Sequence, residues 1–547
     1  MNRLADAISR LSERNELRWL TLLCLAWIAP GLIGHQPWKP DEAYGFGIVH
    51  HILKSGDWLV PTLAGEPFME KPPLYFYAAA LFAKLFSPLL PVHDAARLAT
   101  GLFMALTLLF AGLSGRALWG GGKGRITVLV MLGCLGLLIR AHEMITDMAL
   151  LAGFSIALYG LSVSLRQPIL AGLALGTGIG IGFMSKGLIA PGIIGLTALS
   201  LPLFFRPWRR KNYLHCLLLS VGTALPWLLA WPALVYARSP ELFAEWFWVN
   251  NWGRFFGAVR LGPASDHWFY LVNLPWYAWP ALPIALWTLW REKWACAEIQ
   301  LPLTAFLVML LVLSAAADAR ELYALPMLLP LSLLATAGVD TLRRGAANAL
   351  NWFGIMTFGF FAGLLWFFWF ALMTGHPARN AEHLLDMQPG YTPVFAPLAF
   401  AIAAIYTASW LAVLILTRSL PRGRRALVNW GTGVTLLWGI ATTICLPWID
   451  AGKSYQSMII SLQQSLPVGY RCITGENLGE PQRALLDYYA GINTRRAPLT
   501  GKQECELLLV QGSASHPHEP GAEWIKLWEG ARPGDNSERY WLFRRAL

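Results

Sequence analysis

Thirteen apolar runs divide this chain, at 18–34, 97–118, 126–141, 147–164, 169–185, 188–205, 213–236, 268–290, 301–316, 322–340, 352–374, 395–416 and 430–447. A stretch of about 20 apolar residues crosses a bilayer as a helix, because only an internally hydrogen-bonded backbone is tolerated in hydrocarbon. The repetition therefore restricts the fold to a polytopic α-helical membrane protein with about 13 transmembrane helices. Charged residues make up 14% of the chain, well below the roughly 25% of soluble domains, which excludes an ordinary soluble protein. The 27 tryptophans fit the boundary belts of such a protein.

Lys and Arg near span ends concentrate on the cytoplasmic side, and this rule sets the topology. The awkward segment is 73–91, which is apolar but short and interrupted by Lys84. If it lies in the interface, Lys123, Arg125, Arg166, Arg206, Arg209, Arg210, Lys211, Arg291, Lys293, Arg343, Arg344, Arg418, Arg422, Arg424 and Arg425 all fall on the cytoplasmic side. If it crosses, most of them are thrown outside. The interfacial reading is adopted. It explains the net charge of +11 as topology and makes a nucleic-acid partner unnecessary. Leu4, Ile8 and Leu11 share one helical face, so residues 1–17 are expected as an interfacial cytoplasmic helix, with no signal cleavage site after Arg3, Arg10 and Arg14.

The expected organisation is a transmembrane domain over 18–447 with an outer loop at 35–96, then a polar region from 448 to 547. YRCITG, CELLLVQG, EWIKLWEG and RYWLFRRAL read as short strands with a helix around 481–490, hence a small α/β domain outside the membrane. Cys472 and Cys505 each stand at the start of a strand in an oxidising compartment and form a candidate disulfide. Cys24, Cys134, Cys216, Cys296 and Cys445 lie in or near apolar spans, without metal-binding spacing.

With this orientation the outer face collects Asp41, Glu42, Glu70, Lys71, Asp147, Lys186, Arg254, His267, Arg320 and Tyr323. Charges at span ends are costly unless paired or facing water. Both signs together suit an anionic headgroup substrate: cations hold phosphate, while carboxylates position a nucleophile or a metal. Each residue also has a plainer reading. Asp41 and Asp147 are helix caps on that view. Lys71 snorkels, and Lys186, Arg254 and Arg320 are boundary charges. Tyr323 belongs to the aromatic belt. Glu70 with His267 is a candidate pair for a divalent metal completed by phosphate oxygens, although two ligands make a weak metal signal. No nucleotide-binding glycine loop is present, so the energy for transfer must arrive in an activated, lipid-linked substrate.

The stretches KPDEAYG, SGDWLVPTLAGEPFMEKPPLYFY, DAARLATGL, MITDMALL, SKGLIAP, NNWGRFFG, DHWFYL and RELYALPMLLPLSLL follow one another over about residues 36–335. In this order they resemble the bacterial aminoarabinose lipid A transferases, within the protein O-mannosyltransferase-like superfamily of GT-C glycosyltransferases. The resemblance implies a GT-C fold and transfer of 4-amino-4-deoxy-L-arabinose from undecaprenyl phosphate to lipid A on the periplasmic side of the inner membrane. It also implies that Asp41 and Asp147, with Glu42 beside Asp41, are the catalytic carboxylates. Lys71 would hold the carrier phosphate, with Arg320 and Tyr323 close to it and Lys186 and Arg254 lining the same cavity. The family usually carries DETR where this chain reads Asp41-Glu42-Ala43-Tyr44, and more often a lysine where Arg320 stands. Two rivals remain at this stage. One is a sister transferase using another polyprenyl-phosphate sugar and a glycan or protein hydroxyl. The other is a lipid-linked sugar flippase, which would spread charges through the midplane or show inverted repeats.

Overall fold

The computed structural model describes residues 2–258, 266–292, 294–496, 505–516 and 520–546. Eight of its helices are long and apolar enough to cross a membrane: Val92–Trp119, Thr146–Val163, Pro168–Lys186, Lys211–Arg238, Ala297–Ala315, Glu321–Thr341, Arg344–Thr374 and Pro397–Ser419. Two further pairs, Lys123–Leu132 with Leu135–His142 and Arg422–Ala441 with Leu446–Lys453, bend by 74° and 64°, giving up to 10 spans among the described residues.

Three of the thirteen expected runs form neither a single long apolar helix nor one of these bent pairs. The first belongs to one continuous helix, Asn2–Ile28, which also contains most of the stretch expected as a separate interfacial element. Ile189–Phe204 has 16 residues. The run 268–290 is broken into Phe269–Tyr277 and Ala281–Arg291, with Pro280, which has no N–H to continue a helix, at the break. The disputed segment 73–91 forms the helix Leu74–Phe86. At 13 residues it is roughly 20 Å long, short of the ~30 Å hydrocarbon core.

Thr146–Val163 is the central helix, buried over almost its whole length. It packs against Pro168–Lys186 along a seam of small residues. A Cβ on Gly153 would lie 2.8 Å from the Gly178 carbonyl, and one on Gly160 2.8 Å from the Ala171 carbonyl, so the two backbones touch only because neither residue has a side chain. Because the pair forms a hairpin, the start of the first helix and the end of the second share one end of the bundle.

The outer loop is ordered around the helix Asp41–Ser55, whose first turn carries Asp41 and Glu42 where the helix dipole favours negative charge. A small hairpin follows, Thr62–Leu63 with Glu66–Pro67, turning at Ala64 and Gly65 with positive φ at both, as a tight hairpin turn requires. The sequence reading had no strands here.

The C-terminal region holds a five-stranded sheet in the spatial order Thr494–Arg496, Ile473–Glu476, Leu507–Ser513, Glu538–Arg545, Trp524–Gly530. The first three strands are parallel and the last two pairings antiparallel, with Val510 opposite Trp541. The helix Glu480–Ala490 lies close to its expected position, and Cys472 is bonded to Cys505. This region grips the outer loop. Asp450 accepts from the Gln36 amide at 2.9 Å and from the Trp38 indole at 2.8 Å. Arg483 and Arg496 both pair with Glu66 at 2.8 Å, Lys54 meets Asp487 at 3.1 Å, and Lys39 pairs with Glu538.

Candidate functional site

The charged side chains at one end of the bundle converge from five elements. Asp41 opens the loop helix, and Tyr44 lies three residues on, on the same face. The Tyr44 hydroxyl donates to Asp41 Oδ1 at 3.0 Å and accepts from Lys71 Nζ at 2.6 Å. Lys71 is set by the two prolines that follow it, both buried. Burial first, then the negative charges of Asp41, Asp147 and Glu70, push the Tyr44 phenol well above its usual range. It therefore stays a neutral hydroxyl that joins a carboxylate to an ammonium.

Asp147, in the first turn of the central helix, forms an ion pair with Lys186, the last residue of the helix that follows it. The small-residue seam places the two side by side. Asp147 is almost fully buried, and its second oxygen Oδ2 has no hydrogen-bond partner among the described residues; neither does the neighbouring Thr146 hydroxyl. A buried carboxylate oxygen with unused acceptor capacity is costly unless it has work to do with a ligand. Lys186 also lies 4.0 Å from the centre of the Tyr323 ring. Gly187 follows with φ +70°, and the Asn251 side chain fills the space where a Cβ would stand. Asn251 Oδ1 also accepts from the Leu188 amide at 3.1 Å, tying the π-helical segment Glu245–Gly253 to the Lys186 end.

Arg254, just after that segment, donates to Glu70 at 3.0 Å. Arg320 pairs with Asp318 at 3.5 Å. Burial opposes the Arg320 charge, but the Tyr323 phenol and the Asp318 and Asp41 carboxylates outweigh it and raise its pKa. Cations and carboxylates thus alternate around Tyr44, Lys71, Asp147 and Lys186, an arrangement suited to holding a phosphate while a carboxylate faces the reacting carbon.

Two sequence-derived assignments need correction. Glu42, expected as a catalytic partner of Asp41, points into the protein. It is 3% exposed, accepts from Arg97 Nε at 2.5 Å and from the Trp38 amide at 3.1 Å, and both its oxygens are occupied. Arg97 is fully buried and also binds Asp94 at 2.6 Å. Glu42 is therefore the centre of a structural network. The Glu70–His267 metal pair is also not assembled: Glu70 is taken by Arg254, and the exposed His267 hydrogen-bonds the Ser314 carbonyl at 3.0 Å. Among the described residues no group of three or more His, Cys, Asp or Glu is placed to hold a metal. The donor set here does not fit a divalent ion. Sequence reasoning missed Tyr44 as a site residue; its spacing of three from Asp41 on an amphipathic helix was the available signal.

Comparison with known proteins follows the same lines. The family described as Dolichyl-phosphate-mannose-protein mannosyltransferase matches residues 70–235, which include Glu70, Lys71, Asp147 and Lys186. The solved structure of ArnT from Cupriavidus metallidurans bound to undecaprenyl phosphate superposes with a TM-score of 0.70 at 17% identity, covering 96% of this chain and 97% of that one. Its apo form gives 0.68. Fold and site define an integral-membrane glycosyltransferase of the GT-C class. A relative in Pseudomonas savastanoi pv. phaseolicola, named as an undecaprenyl phosphate-alpha-4-amino-4-deoxy-L-arabinose arabinosyl transferase, is 30% identical over 440 residues, covering 74% of this chain and 77% of the relative. A similarly named protein of Sodalis glossinidius is 31% identical over 340 residues, 59% of each chain. The chain belongs to this undecaprenyl phosphate-aminoarabinose arabinosyl transferase family.

Proposed function

We propose that this protein transfers 4-amino-4-deoxy-L-arabinose from undecaprenyl phosphate to a phosphate of lipid A, at the periplasmic face of the inner membrane. The observation that carries the reading is the Lys71–Tyr44–Asp41 chain set beside the Asp147–Lys186 pair at one end of the bundle. The basic loops at the other end support a cytoplasmic N-terminus, and the C-terminal α/β domain shares the periplasmic side with the site.

In the reaction the bond between the sugar's anomeric carbon and the carrier phosphate oxygen breaks, and its electron pair remains on that oxygen. Lys71, with Lys186, Arg254 and Arg320, neutralises the charge that grows there. An oxygen of the acceptor phosphate forms the new bond to the anomeric carbon. It is already anionic, so no general base is needed. Asp41 and Asp147 stabilise positive character at the anomeric carbon and orient the sugar. A single displacement with inversion is sufficient.

A second reading draws on Tyr44. A neutral phenol stands where the resemblance leads one to expect a cation, which favours a less anionic acceptor. For a hydroxyl acceptor Asp41 becomes the general base. Reconstitution with undecaprenyl-phosphate aminoarabinose and Kdo2-lipid A, read by mass spectrometry, decides between them. A pentosamine increment on lipid A, lost in Asp41→Asn and Lys71→Ala, supports the first reading. Unmodified lipid A beside an intact donor rejects it and sends the search to hydroxyl acceptors.

A further inference from the structure

A second feature is a cavity on the side of the bundle whose charged end is the basic one. It is an open apolar groove of about 700 Å³ between the helices Ala281–Arg291 and Arg344–Thr374, with Trp276, Trp279, Trp287 and Phe353 among its walls. That volume lies within the range of small-ligand sites. Its one charged lining residue is Arg343. The guanidinium lies 5.4 Å from the centre of the Trp287 ring and 5.7 Å from that of Trp290. Trp287 is in turn held by a 3.2 Å hydrogen bond from its indole N–H to the Thr341 hydroxyl. Stacking on ring faces leaves the N–H edge of a guanidinium available, and that edge is what grips a phosphate.

Among the described residues no carboxylate pairs with Arg343. The nearby Asp340 is taken by Lys123 at 3.0 Å and Arg424 at 2.7 Å. Arg291 and Arg344 add positive charge at the same end, where Arg291 donates to the Thr341 carbonyl at 3.4 Å. We propose that this groove is a binding site for one anionic membrane phospholipid, its phosphate on Arg343 and an acyl chain along the aromatic wall. Basic pockets between transmembrane helices on the cytoplasmic side are suited to such headgroups. The polyprenyl tail of the donor is the wrong occupant. The donor's phosphate belongs with Lys71, beyond the opposite end of the bundle, whereas the groove's only cation is at the basic end. The leaflet and the exclusion of the donor's tail rest on the function and orientation proposed above; the groove and its charge do not.

The full-length protein in nanodiscs of equal phosphatidylglycerol and phosphatidylethanolamine, examined by native mass spectrometry, tests this. One phosphatidylglycerol is expected to be retained in preference. Arg343→Gln should lower that retention about fivefold, the contribution of one interfacial cation, and leave phosphatidylethanolamine unchanged. Ala349→Trp, which narrows the groove at an exposed lining residue, should remove the lipid without lowering the melting temperature. Equal retention of both lipids by the unaltered protein, or full retention in Arg343→Gln, overturns the proposal. Displacement of the bound lipid by added undecaprenyl phosphate also overturns it and assigns the groove to the donor's tail.

Discussion

Lys71 donates to the Tyr44 hydroxyl at 2.6 Å, and through it is tied to Asp41 at 3.0 Å. The cation assigned to the carrier phosphate and the carboxylate assigned to the sugar are thus held by one phenol. Hydrogen bonds to charged groups are worth about 1.5–3 kcal/mol. Tyr44→Phe should therefore lower kcat/KM roughly ten- to a hundredfold while leaving the fold intact. Steady-state kinetics with varied donor would show it, and equal activity in the two forms would make Tyr44 a packing residue.

The Asp147–Lys186 pair is enclosed, with side-chain exposures of 2% and 14%. Removing one partner of such a pair strands the other charge, at a cost of about 3–5 kcal/mol, whereas removing both costs much less. Lys186→Met alone should destabilise more than Asp147→Asn with Lys186→Met. A double-mutant cycle on thermal unfolding in detergent checks this; simple additivity would mean that the pair is not formed.

Glu42 and Arg97 make the opposite kind of prediction. Their network is structural, so Glu42→Gln should lower stability by about 3 kcal/mol or more. Activity per folded molecule should stay near normal. A catalytic role for Glu42 would instead appear as folded but inactive protein.

The grip of the C-terminal domain depends on pH. Burial alone would raise the Glu538 carboxyl, but hydrogen bonds from Lys39 and Tyr455 hold it below its ordinary 4.5. Glu66 behaves likewise: burial is outweighed by Arg483 and Arg496. A depressed folded-state value adds stability above pH 4.5 that is lost as the pH falls through that value. Lys39 is raised above 10.5, because burial, which lowers it, is outweighed by Glu538 and Tyr455. Its contribution is complete below pH 10.5 and lost above the raised value. Amide-exchange protection factors over residues 36–72, taken relative to the intrinsic rate at each pH, should therefore be highest between these limits and lower near pH 3.

The Cys472–Cys505 bond closes a loop with a sequence separation of 33. By loop-closure entropy it stabilises the domain by about 3–4 kcal/mol. Cys472→Ala should lower the domain's melting temperature, and thiol labelling of the unreduced, denatured protein should leave both cysteines unmodified.

Much of the site could be read from residues whose placement is costly. Lys186 between two apolar runs and Asp147 at the start of another span each stand out as costly charges, whereas their pairing is legible only in the structure. Lys71 was exposed by its prolines. Glu42 was misread because adjacency in sequence is not adjacency in space: on a helix successive side chains diverge by about 100°, so Asp41 faces the site while Glu42 faces Arg97. Tyr44 was hidden by its class, since an aromatic near a membrane already has a reason to be there. Where proline or an early helix end divides an apolar run, as at Pro280, no single long helix forms; hydropathy measures composition and is blind to the missing N–H.

The outer loop lies pinned between two bodies, with Glu66 and Lys39 held by the sheet domain and Leu74–Phe86 by the bundle. Asp41 and Lys71 lie on that loop, while Asp147 and Lys186 belong to the helices. The C-terminal domain is therefore a splint: it contributes the alignment of two half-sites that are built on different foundations. Loss of the domain would leave every one of those four side chains in the chain and yet deprive them of a common frame.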